Sequence, residues 1–455
     1  MKKITKITKI TLTVLLAVTM LLTVVACGNS SGSNGGRDGG GNSDSPSTES
    51  DSTSAPQSGS TPTPQSNNRF SPVKDFEFIL DESTNEVRII KYVGSESEVH
   101  IPDKIEDNPV TLIGDSAFKG TSVISIIIPD NVITIGTSAF ENTALMNMIL
   151  GNTVITIENK AFQGTQLTNV TIPDSVTTLG MYAFSDTPLT NVMLGSNVAV
   201  IDGYAFSNTQ LTDISIPDSA TTIGEGAFSF TLLTSITIPD SVTTIGVQAF
   251  YNAPITYASI GNGVTTLPRE MFGSHLGNDV LSEIILGNGI TEIPDSVFYN
   301  FSALTKVTFG NSVKTIGDGA FNHTSSLTEI TLPDGLETIG RSAFTLSSLK
   351  SIVIPDSVKT IEQVAFSGNY SLTDVTLGKG LTSIEPGVFS YTGLTSIEIP
   401  DNITLISHGA FTETPLTFIN LGAGVTQIGA GAFYGSQFPD DIRDIISALN
   451  SAALR

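Results

Sequence analysis

Apolar and polar residues alternate with a fixed long period along most of the chain. The stretch Leu233–Phe250, LTSITIPDSVTTIGVQAF, returns with few changes at Leu167–Phe184 and at Leu349–Phe366. The closing Phe marks 15 copies, at Phe118, Phe140, Phe162, Phe184, Phe206, Phe228, Phe250, Phe272, Phe298, Phe321, Phe344, Phe366, Phe389, Phe411 and Phe433. The step between copies is 22 residues, except for 26 residues into Phe298 and 23 residues into Phe321, Phe344 and Phe389. A fixed period of this length predicts a solenoid, in which each repeat buries its apolar edge only against its neighbours.

Each repeat is predicted to begin with one short strand. In Leu167–Ile172 the last four residues alternate, which indicates a half-buried strand with Val170 and Ile172 inside. Pro173 ends that strand because proline lacks a backbone donor and has a fixed φ. Asp174 is then expected to bond the backbone two residues on and to set the turn.

The rest of the repeat returns the chain to the core. Other copies, such as the one with Gly195, have Gly where this copy has Pro, and we expect the two residues to make the same corner by different means. Val176 and Leu179 point back into the core, and Gly180 opens a short helical or 3₁₀ turn. Phe184 closes the turn and fills the space between layers, where a buried Phe removes about 150–250 Å² from water.

Spacing of the L-x-x-L-x-L type within this period is typical of leucine-rich repeats. The predicted fold class is a β-rich solenoid, a leucine-rich repeat superhelix of about 15 repeats of 22–23 residues, with one short parallel strand and one short helical or 3₁₀ turn per repeat. Over about Val99 to Phe433 the repeat resembles LTxIxIPxxVTxIGxxAF, the consensus of the BspA-like leucine-rich repeat surface lipoproteins. Members of that family are linked to adhesion to host matrix proteins and cells and to contact between bacteria, so the resemblance implies an adhesive role.

Departures from the consensus are local. Ala is replaced before the closing Phe at Met271, Val297 and Val388, and Gly is replaced after the inward aliphatic residue by Pro268 and Pro294. The long step carries its extra residues at 273–279, which predict either an outward loop or a bend of the superhelix.

The first 71 residues predict export and an anchor. Residues 1–26 combine a lysine-rich head with the apolar run Ile10–Val25, as a secretory signal peptide does, and that run is too short to span a bilayer. The end of the leader, Val24 to Cys27, resembles a bacterial lipobox, which implies a diacylglyceryl thioether on Cys27, the single cysteine. Residues 27–71 are rich in Gly, Ser, Asn and Pro and predict a disordered tether. We therefore expect a lipid-anchored protein at the outer face of the bacterial cell membrane or the cell surface.

Both ends of the solenoid need a cap, because a terminal repeat lacks one neighbour. Residues 72–98 hold two apolar runs, Phe76–Leu80 and Val87–Val93, which predict a capping β-hairpin. The solenoid is assigned to residues 99–437. Residues 438–455 have helical spacing and begin with Pro and Asp, which predicts a C-terminal capping helix.

Composition argues against several classes of function. The chain has 44 Asp and Glu against 21 Lys and Arg, and four of the lysines lie in the leader, so the part after the leader has 17 basic side chains and a net charge of −27. Such a surface repels nucleic acid and anionic membranes. The histidines lie in different repeats without metal-binding spacing, at His100, His275, His323 and His408. We predict no enzymatic activity, no cofactor and no metal site; the alternative is an enzyme with a pocket near His275 and Asp279.

The outward strand positions remain as the candidate functional surface. Fifteen parallel strands predict a face about 70 Å long. Its candidate binding residues are Asn169, Thr171, Asn191, Asp213, Ser235, Thr237, Tyr257, Ser259, Glu283, Lys306, Glu329, Asp374, Glu398 and Phe418. Exposed aromatic side chains on a rigid face often anchor partners, which makes Tyr257 and Phe418 candidate contacts, whereas single exposed apolar residues are also ordinary.

These features together predict an adhesin-like protein that binds a protein or other macromolecule through the sheet face of the solenoid. The expected partner is an extracellular macromolecule, such as host matrix or another cell surface, and not a nucleic acid. Two alternatives remain: a surface lipoprotein that captures polysaccharide, and a structural spacer without a ligand. The aromatic residues are scattered over many repeats, which argues against a sugar site.

Overall fold

A computed structural model describes residues 70–273 and 280–450. The predicted signal peptide, the lipidation site Cys27 and the predicted tether up to residue 69 lie outside these residues. So do His275, Asp279 and most of the predicted insertion.

Thirty strands and two helical segments make up the described chain. A 3₁₀ segment at Val73–Asp75 precedes β1 (Phe76–Asp81), β2 (Glu86–Tyr92), β3 (Glu98–His100), β4 (Lys104–Ile105) and β5 (Asn108–Ile113). Then follow β6 (Ser125–Ile127), β7 (Thr134–Ile135), β8 (Asn147–Ile149), β9 (Thr156–Ile157), β10 (Asn169–Thr171), β11 (Thr178–Leu179), β12 (Asn191–Met193), β13 (Val200–Ile201), β14 (Thr222–Ile223), β15 (Ser235–Ile238), β16 (Thr244–Ile245), β17 (Tyr257–Ile260), β18 (Glu283–Ile285), β19 (Glu292–Ile293) and β20 (Lys306–Thr308). The last are β21 (Thr315–Ile316), β22 (Thr338–Ile339), β23 (Ser351–Val353), β24 (Thr360–Ile361), β25 (Asp374–Thr376), β26 (Ser383–Ile384), β27 (Ser396–Glu398), β28 (Leu405–Ile406), β29 (Phe418–Asn420), β30 (Gln427–Ile428) and the helix α1 (Asp440–Asn450).

Each repeat forms one coil, and parallel strands connect successive coils along two lines. The front ladder consists of the three- or four-residue strands that open the coils: β3, β6, β8, β10, β12, β15, β17, β18, β20, β23, β25, β27 and β29. The back ladder consists of the two-residue strands from β7 to β30, and β5 extends it at the N-terminal end. The predicted leucine-rich repeat solenoid with parallel strands is confirmed. Most coils contribute a second strand that the sequence did not predict.

Alternation in the front strands follows the predicted pattern. Val170 and Ile172 are buried, whereas Asn169 and Thr171 are exposed. Val176 and Leu179, which return the chain to the core, are also fully buried. The segment after Gly180 is a run of turns instead of a helix. Its N–H groups bond across to the next coil, from Tyr182 to the Gly203 carbonyl at 2.9 Å and from Phe184 to the Ala205 carbonyl at 2.8 Å, so they are not free for a helix within the coil.

The closing Phe side chains form the centre of the core. Fourteen of them are at most 1 % exposed, and Phe272 is 7 % exposed. Neighbouring rings stack with centroids 4.8–5.8 Å apart and interplanar angles of 2–21°. The stack runs from Phe118 to Phe272 and again from Phe298 to Phe433.

The back ladder is interrupted between β16 and β19, where the Phe stack is also interrupted, and again between β24 and β26. In most other coils the N–H of the residue after the inward aliphatic side chain bonds the preceding coil, as from Gly246 to the Ile223 carbonyl at 2.8 Å. Pro268 and Pro294 occupy that position in two successive coils and have no N–H to donate. The front ladder continues across this joint through β15, β17, β18 and β20.

The corner Asp side chains connect one coil to the next. Asp174 was expected to bond its own backbone two residues on, and this expectation is wrong: its Oδ1 accepts the N–H of Ser196, one coil further, at 2.7 Å. Asp240 accepts the N–H of Asn262 at 2.7 Å in the same way. The coil spacing places the next corner amide within reach of the carboxylate, so the Asp fastens the stack.

Both ends of the described solenoid are covered. At the N-terminal end β1 and β2 form an antiparallel hairpin, β2 pairs with β5, and Tyr92 stacks on Phe118 with centroids 5.2 Å apart. At the C-terminal end Phe438 contacts the Phe433 ring edge-on at 5.6 Å, and Ile446 of α1 is fully buried. These contacts close the two ends of the apolar core.

Candidate binding surface

The candidate binding residues lie on the outward side of the front ladder, which we call the front face. Eleven of the fourteen are exposed, and Tyr257, Ser259 and Glu283 are partly buried between neighbouring coils. Backbone pairing aligns Ser235, Tyr257, Glu283 and Lys306 in one row, and Thr237 and Ser259 in the row beside it. Shorter rows join Asn169 to Asn191 and Ser396 to Phe418. Their function as binding residues remains a prediction.

Two of the candidates do not lie on strands. Asp213 and Glu329 were expected at outward strand positions, but residues 211–217 and 324–333 form no strand. The front ladder is therefore a series of short sheets and not one continuous wall.

The residue at the corner after each front strand correlates with whether that coil pairs with the preceding coil in the front ladder. Every coil with Gly at this corner pairs with the coil before it, at Gly151, Gly195, Gly261, Gly287, Gly310, Gly378 and Gly422. Coils with Pro there do not pair with the coil before them, at Pro173, Pro217, Pro239, Pro333, Pro355 and Pro400. The exception is Pro129, whose preceding coil leads into the hairpin of β4 and β5. The expectation that Gly and Pro make the same corner is therefore wrong.

Steric contact explains the difference between the two corners. A Cβ added to Gly195 would lie 2.3 Å from the carbonyl oxygen of Pro173, and one added to Gly261 would lie 2.4 Å from that of Pro239. Real Cβ atoms do not approach oxygen so closely, so only Gly lets the corner lie against the preceding coil. Proline has a Cβ, a ring and no N–H, so it holds the coils apart and cannot donate to the ladder.

Recesses open in the front face where pairing is missing. Cavities of about 440 and 390 Å³ lie on the two sides of the Asp213 coil. A cavity of about 800 Å³ surrounds the Glu329 coil, and one of about 880 Å³ lies between Asp374 and Phe418. The face thus presents rows of side chains interrupted by recesses with carboxylates at their edges.

Hydrogen bonds between coils shift the pKa of several charged groups on the front face and at its corners. Lys306 donates to Glu283 at 2.7 Å, and this hydrogen bond raises the pKa of Lys306 above its ordinary value. The corner carboxylates accept N–H groups, so the pKa of Asp174 is lowered by Ser196 and that of Asp240 by Asn262. These carboxylates are consequently charged at neutral pH, even where they hold the coils together.

Sequence analysis missed an apolar group at the N-terminal end of the front face. Ile149 and Met193 are each 61 % exposed at outward strand positions, and Ile127 pairs with Ile149 in the same row. Their position in the repeat, aligned with Thr171 and Thr237, was a signal that could have identified them. Phe418, 52 % exposed, lines the recess of about 880 Å³, whereas Tyr257 is packed between its neighbours in the ladder.

Within residues 70–273 and 280–450, no group of three or more His, Cys, Asp or Glu side chains is arranged to hold a metal ion.

Several solved structures of bacterial proteins are similar to this chain. A leucine-rich repeat protein from Bacteroides ovatus is 24% identical over 74% of this chain and 94% of its own, with a TM-score of 0.42. A leucine rich cell surface protein from Faecalibacterium prausnitzii is 25% identical over 70% of this chain and 92% of its own, with a TM-score of 0.35. The pneumococcal vaccine antigen PcpA is 20% identical over 83% of this chain and 95% of its own, with a TM-score of 0.38.

Curated protein sequences contain no match to this chain. The family model for the BspA type leucine rich repeat region, which describes six copies, matches residues 111–231, 200–327 and 314–439. These ranges overlap and cover most of the solenoid without a gap. The chain therefore belongs to the BspA-type leucine-rich repeat family.

Proposed function

We propose that this chain is a bacterial cell-surface protein that binds an extracellular macromolecule through its front face. The observation that carries the proposal is the front face itself: exposed polar side chains, fixed in rows by backbone pairing, beside recesses with charged edges. A rigid, extended surface of this kind suits recognition of a large partner, because few side chains lose freedom on binding. Membership of the BspA-type family supports a role in protein interaction.

The preferred partner is a protein, such as a host matrix protein or a protein on another cell. Phe418, Glu398 and Lys379 line the recess of about 880 Å³ and supply it with an aromatic, an acidic and a basic group. Protein interfaces commonly combine such groups at their anchor points. Enzymatic activity is not part of the proposal, since repeats of this kind generally form binding surfaces.

Binding through the front face is tested with matched sets of Thr→Arg substitutions in the full chain. The front set is Thr171, Thr237, Thr308 and Thr376, and the back set, exposed beside the back ladder, is Thr177, Thr243, Thr382 and Thr404. Both sets add the same charge. Capture of immobilised fibronectin, fibrinogen and purified glycans is measured; we expect the front set to weaken capture at least about tenfold and the back set less than about twofold.

Two outcomes contradict the proposal in different ways. Equal losses in the front and back sets show that the front face is not the binding surface. Capture of a glycan together with failure against every protein contradicts the protein-binding form and favours the polysaccharide alternative.

Anchoring by lipid at Cys27 is the second part of the proposal. Over the described residues no helix has the length and apolar character needed to cross a bilayer. A thioether lipid at Cys27 with two or three acyl chains holds a protein firmly at a membrane, whereas one chain holds it only marginally.

The anchor is tested by the substitution Cys27→Ser. We expect most of the protein to move from the membrane fraction to the medium, as measured by fractionation and immunoblotting. Metabolic labelling with a fatty acid should be lost at the same time. An unchanged membrane-bound amount in the variant contradicts lipidation at this site.

A further inference from the structure

We propose that the front face between Asn169 and Ser259 docks an extended polypeptide segment rich in Lys and Arg. This inference rests on the proposed function and names the chemistry of the partner. Its centre is the coil that carries Asp213 and Asp218, which we call the isolated coil and define as residues 211–219. Three features lead to the inference: an unpaired main chain, a complete lack of basic side chains, and recesses on both sides.

The main chain of the isolated coil is open toward both neighbours. In the flanking coils the front backbone is bonded across, as from Thr190 to the Thr168 carbonyl at 2.9 Å and from Thr256 to the Thr234 carbonyl at 2.8 Å. No main-chain hydrogen bond of the described residues joins residues 212–216 to either side. The cause is the pair of successive proline corners, Pro217 and Pro239, which separates this coil from both neighbours. Its N–H and C=O groups therefore need partners from outside the chain, either water or a ligand.

Basic side chains are absent around the isolated coil. The sequence between Lys160 and Arg269 contains no Lys, Arg or His. Seven acidic residues lie in the same interval: Asp174, Asp186, Asp202, Asp213, Asp218, Glu225 and Asp240. Further along the front face basic side chains are present, and Lys306 forms an ion pair with Glu283 at 2.7 Å. The field over this part of the face is consequently negative and attracts a cationic partner.

Asp218 differs from the corner Asp residues on either side. Asp174 and Asp240 each accept an N–H of the next coil at 2.7 Å. In the described chain Asp218 and Asp213 have no hydrogen bond and no ion pair, and the corner that follows Asp218 is Pro239, whereas Asp174 and Asp240 are followed by glycine corners. Both carboxylates line the recess of about 390 Å³ and are available for charge-assisted hydrogen bonds to ammonium or guanidinium groups.

An extended polypeptide can bond both the unpaired main-chain groups of the isolated coil and the carboxylates of Asp213 and Asp218. Its main chain supplies donors and acceptors for the open backbone, as in recognition by strand addition, and its Lys or Arg side chains reach the carboxylates. The two recesses, of about 440 and 390 Å³, have room for side chains of such a segment. A nucleic acid is excluded by the negative field.

The test uses the full chain and a fluorescein-labelled peptide of twelve residues that alternates Lys and Thr. Peptides that alternate Glu and Thr, or Ser and Thr, are the controls for charge. Fluorescence anisotropy is measured at about 50 mM and about 300 mM salt, because binding driven by surface charge weakens as the Debye length shortens. We expect binding of the Lys–Thr peptide alone, with a Kd that rises with salt.

Three variants locate the binding. Asp213→Asn with Asp218→Asn should raise the Kd at least about fivefold, whereas Glu292→Gln with Glu362→Gln, which removes the same charge beside the back ladder, should change it less than about twofold. Pro217→Gly with Pro239→Gly keeps the charge and removes the two rings that separate the coils. It should also raise the Kd at least about fivefold, because the coil then pairs with its neighbours. Circular dichroism confirms that each variant is folded.

Each contrary result overturns the inference. Equal effects of the two charge variants show attraction to overall charge only, and an unchanged Kd in the folded proline variant shows that the open coil plays no part. Absence of peptide binding, while the front Thr→Arg set still abolishes capture of a matrix protein, rejects the cationic partner and leaves the proposed function intact. Equal losses from the front and back Thr→Arg sets reject the proposed function itself, whatever the peptide does.

Discussion

Replacing Phe250 with Ala is expected to lower the free energy of unfolding by about 3–5 kcal/mol. The Phe250 side chain is fully buried, and its ring stacks on Phe228 at 5.5 Å and on Phe272 at 5.8 Å. The substitution therefore removes buried apolar area and two aromatic contacts together, and it leaves a cavity between two rings of the stack. The neighbouring coils close that cavity poorly, because the back ladder holds the preceding coil and the front ladder holds the next coil at a fixed spacing.

Denaturant unfolding followed by circular dichroism measures this loss. Phe418→Ala is the matched control, since it removes the same side chain from a position that is 52 % exposed, and it should change stability by less than about 0.5 kcal/mol. A solenoid can unfold in segments, so a separate early transition in the Phe250 variant also counts as the expected loss. Comparable stability of the two variants would contradict a core built on the stacked rings.

The solenoid could be predicted because its core depends on a spacing of apolar residues that recurs in every repeat. Val170, Ile172, Val176 and Leu179 recur with the same spacing as the closing Phe, and all of them are buried as their positions require. Fifteen repetitions of one weak local signal amount to a strong one. Residue polarity alone decides such positions, so sequence is sufficient for them.

Contacts between coils could not be predicted in the same way. Asp174 was assigned to its own turn because only residues close in sequence were compared, yet its partner Ser196 lies 22 residues away. The breaks in the front ladder were missed for a similar reason. Pro217 and Gly195 both end a strand, and their different effect appears only when the carbonyl of the preceding corner is present.

The prediction that side chains at positions such as Asn169 and Thr171 point outward was correct, but the recesses in the front face were not predicted. Asn169 and Thr171 are exposed as expected, since their positions follow from alternation. The recess around Asp213 depends on two successive corners, Pro217 and Pro239, and thus on the order of repeats instead of on any one of them. The order of corner residues along the chain is therefore the sequence feature that sets where recesses occur.

Substituting Gly287 with Ala is expected to destabilise the solenoid by about 1–3 kcal/mol and to open the front ladder between β17 and β18. Gly287 is the middle of three successive glycine corners, Gly261, Gly287 and Gly310, which hold the longest front sheet together after β15. An added Cβ would lie 2.4 Å from the carbonyl oxygen of Gly261 and 2.5 Å from its carbon, so the coil has to move away. The contact is with backbone, which cannot turn aside as a side chain does.

Gly335→Ala is the matched control for Gly287→Ala. The closest atom to its added Cβ is the Nζ of Lys314 at 3.2 Å, at the end of a flexible side chain, so stability should stay constant or rise by up to about 1 kcal/mol through the unfolded chain. Denaturant unfolding gives the energies, and hydrogen exchange of residues 257–260 and 283–285 reports the ladder. Faster exchange there in the Gly287 variant alone is the expected result. If both variants exchange alike, the close approach of glycine corners does not determine pairing, and the positions of the recesses need another explanation.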